Sequence, residues 1–436
     1  MIRALFAACA ALLLAFPANA VDIQEVTSPG GIKAWLVEDH SIPFTALELR
    51  FRGGASLDAP GKRGAINLMT AIIEEGAGDL DAQGFAEARE ALAASYRFSV
   101  GDDTLSVSAR MLTENRDAAV DLLKLALTEP RFDVDAVERV RGQVLSGLQS
   151  DEQDPGTLAG RAFNALAFGA HPYATPADGT LESVAALTRE DMLDAKARTI
   201  ARDRVVVAAV GDITAEDLGA MLDHLLGDLP ETGAPLPDRA EMGLTGGVTV
   251  VDFDTPQSVV VFGHEGLKRD DPDFFPAYIL NQILGGGGFS SRLMQEVREA
   301  RGLTYGVYSY IVPRDHAETW QGSFASSNDR VAEAIEVVRA EWVKAAEGGV
   351  TEAELEAAKT YLTGSYPLRF DGNGQIADIL VGMQLDDLPA DYVNTRNAEV
   401  EAVTLEDIAR VAAERLHPDG LRFVVAGRPV ALEASN

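Results

Sequence analysis

The sequence predicts an α+β protein made of two homologous domains, each a largely antiparallel sheet with helices packed on one face. Strand-like segments such as 46–51 and 105–110 alternate apolar and polar residues, which is typical of a sheet with one buried face. Segments 116–127 and 330–346 carry apolar residues at helical spacing. Both kinds of segment occur in each half of the chain, so the two halves are expected to share one fold.

An internal repeat supports this division. Residues 187–191 read Leu-Thr-Arg-Glu-Asp and residues 403–407 read Val-Thr-Leu-Glu-Asp, and each is followed by a helical stretch and an apolar strand that ends in glycine. The two threonines are 216 residues apart, as are the two closing glycines, Gly211 and Gly427. A shared offset between separate landmarks indicates a duplication. We therefore predict a first domain over 21–228, a Pro- and Gly-rich linker over 229–246 and a second domain over 247–436.

The first twenty residues have the pattern of a secretory signal peptide. A short basic start, an apolar stretch and the closing Ala18-Asn19-Ala20 predict cleavage after Ala20. The apolar run is shorter than the roughly 20 residues that a membrane-spanning helix needs. The sequence thus predicts a secreted, periplasmic protein with no transmembrane segment; the alternative for these residues is a buried N-terminal helix.

Composition excludes several classes of function. The only cysteine, Cys9, lies in the predicted signal peptide, which excludes disulfides and thiol chemistry in the mature chain. The formal net charge of −31 argues against nucleic-acid binding, which requires a basic face. An acidic surface is compatible with simple solubility or with attraction of basic peptides, and the sequence leaves both open.

Two motifs carry a resemblance to a known family. Residues 285–305 begin with four glycines, continue as Ser-Ser-Arg-Leu over 290–293, and reach Arg298-Glu-Ala-Arg-Gly-Leu-Thr-Tyr305. Residues 170–173 read Ala-His-Pro-Tyr. On these motifs the chain resembles the M16 (pitrilysin/insulinase-like) metallopeptidase superfamily over essentially its whole mature length. The resemblance implies the LuxS/MPP-like metallohydrolase fold in each domain.

The zinc motif of that family is missing here. Active members bind zinc through an inverted His-x-x-Glu-His segment and a later glutamate. Counting back from Gly76, this motif falls on Asn67, Thr70 and Ala71, and the later glutamate falls near Gly147. None of these four can supply the ligands or the general base that zinc hydrolysis needs. The six histidines of the chain include no pair at metal-ligand spacing, so we expect no metal and no other cofactor on this chain.

The family's Arg/Tyr pair is retained as Arg298 and Tyr305. The resemblance implies that these side chains hold the substrate and donate to the oxyanion formed during peptide hydrolysis. The alternative is that neither residue has a functional role. Arg298 would then be a solvated cation near a helix end, and Tyr305 would be packed in the protein core. Gly302 is expected to end the helix that carries Arg298 and to place Tyr305 at the start of the next strand, while Ser290 is a candidate N-cap for that helix.

In M16 pairs one subunit carries zinc and the other carries the Arg/Tyr pair. The resemblance therefore implies a non-metal subunit that pairs with an M16 homologue bearing the zinc motif and completes its site for peptide substrates. Two other hypotheses stay open at this point: a non-catalytic structural or peptide-binding protein, and independent hydrolysis at an unrecognised site.

Overall fold

A computed structural model describes residues 22–435 of the chain. The predicted signal peptide therefore lies outside the described residues. Within that range, no helix combines the length and apolar character needed to cross a membrane.

The first half contains a six-stranded sheet and a short two-stranded hairpin. Its strands are β1 (Gln24–Thr27), β2 (Lys33–Glu38), β3 (Phe44–Arg52), β4 (Gly76–Ala77), β5 (Leu80–Asp81), β6 (Ser95–Val100), β7 (Thr104–Leu112) and β8 (Val205–Gly211). The sheet order is β1-β2-β8-β3-β7-β6, and every neighbouring pair is antiparallel except β2 with β8. The helices are α1 (Ala65–Ile72), α2 (Ala82–Ala91), α3 (Arg116–Thr128), α4 (Val134–Asp151), α5 (Pro155–Phe168), α6 (Leu181–Ala185), α7 (Arg189–Thr199) and α8 (Ala215–Leu226).

The second half repeats this sheet with one strand fewer. Its strands are β9 (Gly247–Asp252), β10 (Gln257–Glu265), β11 (Val307–Pro313), β12 (Glu318–Ser327) and β13 (Arg422–Gly427). They follow the order β11-β12-β10-β13-β9, with only β13 and β9 parallel. The helices are α9 (Phe274–Asn281), α10 (Val331–Ala346), α11 (Glu352–Ser365), α12 (Asn373–Leu385), α13 (Tyr392–Ala402) and α14 (Leu405–Arg415). A further helical turn with wider, π-type hydrogen bonding spans Met294–Glu299.

The repeat seen in the sequence corresponds to equivalent structural elements. Thr188 begins α7 and Thr404 begins α14, and each forms a capping box with the acidic residue three positions later. Each helix leads to the last strand of its half, β8 or β13. Each of these strands lies inside its sheet, between one parallel and one antiparallel neighbour. The predicted fold class, α+β with antiparallel-rich sheets and helices, is thereby confirmed.

Each half has its own main core. Leu47, Leu49 and Phe51 on β3 point to the same face, where they are fully buried against the helices of the first half. In the second half, Val260 and Phe262 on β10 also point to one face and are fully buried in the core of that half. Because side chains alternate along these strands, one set lies in the core of its half. The opposite face of each sheet has to be covered by another part of the chain.

That opposite face is covered by a helix from the other half. The first-half helix α5 packs on β10 and β13, where Phe163 and Ala167 meet Val424 and Ala426. Reciprocally, the second-half helix α12 packs on β3 and β8, where Leu380 and its neighbours meet small residues of the first sheet. The two halves therefore exchange equivalent helices, and each sheet has helices on both faces.

Polar contacts hold the exchanged helix α12 in place. Arg50 on β3 donates to Asp378 on α12 at 2.6 Å and to its neighbour Glu48 at 2.7 Å. Arg52 donates to the carbonyl oxygens of Gln384 and Leu385 at the end of the helix, both at 2.8 Å. Arg50 and Glu48 are both buried, whereas Asp378 is 60% exposed, so this network joins a buried pair in the first half to a partly exposed carboxylate on α12.

Candidate functional site

The glycine-rich segment forms a tight turn between α9 and the helical residues that follow. A side chain at Gly285 would lie 2.6 Å from the backbone nitrogen of Ser309 on β11. Only glycine permits this close approach of the turn to the strand. Beside it, the buried side chain of Asn281 accepts hydrogen bonds from Ser309 Oγ at 2.8 Å and from Trp320 Nε1 at 2.9 Å. The glycines therefore bring the turn close against a buried polar network.

The helix that carries Arg298 starts later than the sequence predicts. Ser290 lies in a 3₁₀ turn over Gly288–Ser290, and its Oγ donates to the carbonyl of Gly287 at 2.8 Å. The helix begins at Arg292, directly after Ser291. The prediction that Ser290 caps this helix is wrong because the glycine turn adds its own short helical turn first.

Arg292 has a structural role. Its Nε and Nη2 donate to the two carboxylate oxygens of Glu354 at 2.7 and 2.8 Å, and Nη2 also donates to the carbonyl of Gly349 at 2.6 Å. These hydrogen bonds lower the pKa of Glu354 to about 2. The bidentate pair fixes the start of the helix against α11 and so determines where Arg298 is presented.

Arg298 lies in the last turn of this helix and is partly exposed. Its guanidinium carbon is 4.5 Å from the ring centroid of Phe289, which is itself 67% exposed. Its ion-pair contact is a long one, 3.5 Å from Nε to its neighbour Glu299. A cation held over an aromatic face, with its other donors directed to solvent, is available to bind a carbonyl or carboxylate.

Tyr305 lies in the loop that follows the helix. Gly302 has a φ of +59° and its N–H donates to the carbonyl of Arg298 at 2.7 Å, so it ends the helix in the left-handed conformation that favours glycine. Tyr305 comes just before β11 and is 85% exposed. A core role for this tyrosine is therefore excluded. The turn at Gly302 places both members of the pair on adjoining surface segments.

Two further tyrosines, which the sequence did not single out, extend this surface. Tyr308 and Tyr310 alternate along β11 and are 48% and 42% exposed. β11 is the first strand of its sheet, so one of its edges is unpaired in the described residues. The period-two spacing of these tyrosines was the available sequence signal. With Phe289, Arg298 and Tyr305 they form what we call the aromatic edge.

The four vacated zinc-motif positions do not fit a zinc ion. Asn67, Thr70 and Ala71 lie on α1, and Gly147 lies on α4. Thr70 is buried and its hydroxyl donates to the carbonyl of Ile66 at 2.7 Å, so it faces away from any ligand. Ala71 is exposed and has no donor atom, and open space surrounds the position of a side chain at Gly147.

The helices nevertheless keep the framework of a metal site. α1 and α4 pack against each other through the first-half core. Across residues 22–435, no cluster of three or more histidine, cysteine or acidic side chains is arranged to hold a metal ion.

The combination of a duplicated α+β fold, an Arg/Tyr surface and a zinc framework without ligands defines a class: non-peptidase homologues of zinc peptidases. Comparison with known proteins agrees. Residues 186–362 match the family model described as the peptidase M16 inactive domain. The chain is 28% identical over 415 residues to the non-peptidase homolog YmxG of Helicobacter pylori, covering 95% of this chain and 96% of that one.

Two more relatives are similar to this chain over most of its length. An uncharacterized zinc protease of Mycobacterium leprae is 27% identical over 406 residues, covering 92% of this chain and 91% of its own. The crystal structure of a peptidase M16 inactive domain from Pseudomonas fluorescens superposes with a TM-score of 0.88 at 29% identity, covering 95% of this chain and 100% of that one. Over nearly its whole length the chain is thus similar to members of the M16 peptidase superfamily.

Proposed function

We propose that this chain is the non-metal subunit of a periplasmic zinc peptidase pair. In this proposal the signal peptide is cleaved after Ala20, and the mature chain pairs with an M16 homologue that carries the zinc motif. Zinc is bound by that partner. This chain contributes substrate binding and oxyanion stabilisation through Arg298 and Tyr305, and peptides are the substrates.

The observation that carries the proposal is the exposure of Tyr305. A phenol that is 85% exposed contributes little to the stability of its own domain, yet its hydroxyl is free to donate to a carbonyl oxygen as negative charge develops there. Arg298 is similarly available, because its cation rests on Phe289 and its ion-pair contact with Glu299 is long. The vacated motif on α1 means that the carbonyl attacked by zinc-bound water has to lie in another subunit's site.

The proposed chemistry assigns separate roles to the two residues. The guanidinium of Arg298 binds a substrate carbonyl and fixes the peptide. The hydroxyl of Tyr305 donates a hydrogen bond to the oxyanion in the transition state. Zinc, where the partner binds it, supplies the activated water. The exposed rings of Tyr308 and Tyr310 on β11 offer flat surface to the side chains of a bound peptide.

A test is to co-express the mature chain with an M16 homologue that carries the zinc motif and to purify the complex. The proposal expects a stable complex that cleaves unfolded peptides, and loss of that activity when Tyr305 is changed to Phe. Tyr361→Phe is a matched control, because it removes a hydroxyl from an exposed tyrosine on α11 outside the aromatic edge. Failure to form any complex, or unchanged cleavage in Tyr305→Phe, would refute the proposal.

A second candidate function is peptide binding without hydrolysis, as in a structural M16-like protein. The aromatic edge favours it specifically, because its exposed tyrosine rings can hold the side chains of a peptide in the absence of any metal partner. Peptide binding by the isolated chain, with no activity in any complex, would support this candidate over the first.

A further inference from the structure

A cavity away from the aromatic edge has the chemistry of a ligand site. This cavity, of about 340 Å³, lies beside the exchanged helix α12, and we call it the α12 pocket. The residues that matter to the argument are Arg269, Phe275, Tyr278, Arg369, Asp378 and Asp386. Its size is near the lower end for small-molecule sites, which begin at about 300 Å³.

One arginine in the pocket is already held in place. Arg269 lies over the ring of Phe274 at 4.2 Å and near the ring of Tyr392 at 5.3 Å, and its Nη2 donates to the hydroxyl of Tyr392 at 2.5 Å. Its Nε is 3.7 Å from Asp386. Because the guanidinium is positioned between rings, it loses little freedom when a ligand binds.

A second arginine is free. Arg369 lies in the exposed turn Pro367–Arg369 at the pocket wall, and within residues 22–435 it forms no ion pair with a carboxylate. Arg269 and Arg369 both line the pocket, so two guanidinium groups are available there to a carboxylate.

The same pocket carries negative charge and aromatic surface. Asp378 and Asp386 line it, with side chains 60% and 42% exposed. Asp378 also receives the hydrogen bond from Arg50 of the first half, so this wall of the pocket is tied to the junction between the halves. Phe275 and Tyr278 supply ring surface. A ligand that satisfies all three features has a carboxylate, an ammonium group and an apolar or aromatic side chain.

We propose that the α12 pocket binds a small zwitterionic peptide of about dipeptide size with an aromatic residue. Its carboxylate meets Arg369 and Arg269, its ammonium group meets the two aspartates, and its ring lies against Phe275 and Tyr278. The site is separate from Arg298 and Tyr305 and does not depend on the proposed pairing with a zinc subunit. A bound dipeptide stabilises the docking of α12 on the first sheet, because the opposite side of that helix is joined to β3.

The test is calorimetric titration of the mature chain with the dipeptide Gly-Phe. Three analogues each remove one feature of this ligand. Gly-Phe amide lacks the carboxylate, N-acetyl-Gly-Phe lacks the ammonium group, and Gly-Gly lacks the aromatic ring. We expect Gly-Phe to bind and each analogue to bind at least several-fold more weakly. Arg369→Ala should weaken Gly-Phe binding about 10- to 100-fold, the range expected for a lost charge-assisted hydrogen bond. Arg428→Ala, a half-exposed arginine paired with Asp252, is the matched control and should bind as the wild type does.

The alternative outcomes are decisive. Asp386→Asn should weaken the binding of Gly-Phe but should leave the already weak binding of N-acetyl-Gly-Phe unchanged. This pattern distinguishes loss of the ammonium contact from misfolding, which would weaken both. Inorganic phosphate is titrated as well, because a simple anion site would bind it as tightly as Gly-Phe. The proposal would be overturned if phosphate or Gly-Phe amide bound as tightly as Gly-Phe. It would also be overturned if Arg369→Ala bound Gly-Phe with wild-type affinity, or if Gly-Phe did not bind at roughly 10 mM.

Discussion

The guanidinium carbon of Arg298 lies 4.5 Å from the ring centroid of Phe289, and both side chains are at the surface. An exposed cation–aromatic pair contributes only about 0.5–1 kcal/mol to stability. It does, however, restrict the rotamers of the arginine and direct its donors outward. Together with Tyr305 beyond the Gly302 turn, it presents donors where a second subunit can use them.

The first prediction concerns Tyr305 in a complex with a zinc-bearing M16 homologue. Tyr305→Phe is expected to lower kcat for peptide cleavage about 10²- to 10³-fold, because it removes a donor to the oxyanion. The free energy of unfolding of this chain should change by less than about 0.5 kcal/mol, since the side chain is 85% exposed. Steady-state kinetics and urea unfolding check the two parts. A loss of stability that matches the loss of activity would contradict the assigned role.

The second prediction concerns the vacated zinc motif. Changing Asn67→His, Thr70→Glu, Ala71→His and Gly147→Glu together is expected to create zinc binding, because Ala71 is exposed and Gly147 faces open space. The Thr70 change should cost some stability, since that residue is buried. Zinc content after dialysis is the measurement, with about one ion per chain expected. The matched control omits only the change at Gly147 and should bind zinc more weakly. Equal zinc content in both variants would show that α4 does not contribute a ligand position.

The third prediction is a pH dependence of stability that arises from His264. This side chain is 2% exposed, its Nδ1 is 2.6 Å from the carbonyl oxygen of Glu265, and its Nε2 accepts from Trp342 Nε1 at 3.0 Å. Burial lowers the pKa of His264 to about 4, whereas the unfolded chain protonates near 6.5. Its contribution is therefore complete above pH 6.5 and is lost as the pH falls from 6.5 to 4. The loss should total about 3 kcal/mol.

Urea unfolding at several pH values between 7.5 and 4 measures this dependence. His264→Gln should be less stable at pH 7.5 but should show a shallower decline towards pH 4. His224→Gln is the matched control, since His224 is half exposed on α8 and should leave the wild-type slope unchanged. An identical slope in wild type and His264→Gln would assign the acid sensitivity to other groups.

The fourth prediction concerns the exchanged helix. Arg50→Ala leaves the buried carboxylate of Glu48 without its cation and removes the hydrogen bond to Asp378, so a loss of about 3–5 kcal/mol in unfolding free energy is expected. Amide hydrogen exchange should speed up in α12 before it does in α10. Arg139→Ala, which breaks a half-exposed ion pair with Glu75, should cost at most about 1 kcal/mol. Equal costs for the two variants would show that the network does not join the halves.

The sequence predicted the elements that depend on local signals. The helices after Thr188 and Thr404 and the apolar strands ending in Gly211 and Gly427 were readable because each is encoded by neighbouring residues. They were sufficient for the α+β fold class and for the repeat. The position of Tyr305 in an exposed loop was less accessible, because a tyrosine between a glycine and a strand is equally compatible with burial.

The helix exchange was not predictable from the sequence. The apolar residues of α5 and α12 indicate that these helices are buried, but periodicity does not say which sheet covers them. The α12 pocket was missed for the same reason, because Arg269 and Arg369 are far apart in the chain. Ser290 was wrongly assigned as a helix cap because several glycines in succession permit an extra turn that no local rule anticipates.

The central claim is that this chain completes a zinc site in another subunit. The most direct measurement is peptidase activity and zinc content of the mature chain, first alone and then mixed with an M16 homologue that carries the zinc motif but has its own Arg/Tyr pair replaced. The account predicts activity only in the mixture, with about one zinc per heterodimer. Full activity of the mutated homologue by itself, or no activity in the mixture, would contradict it.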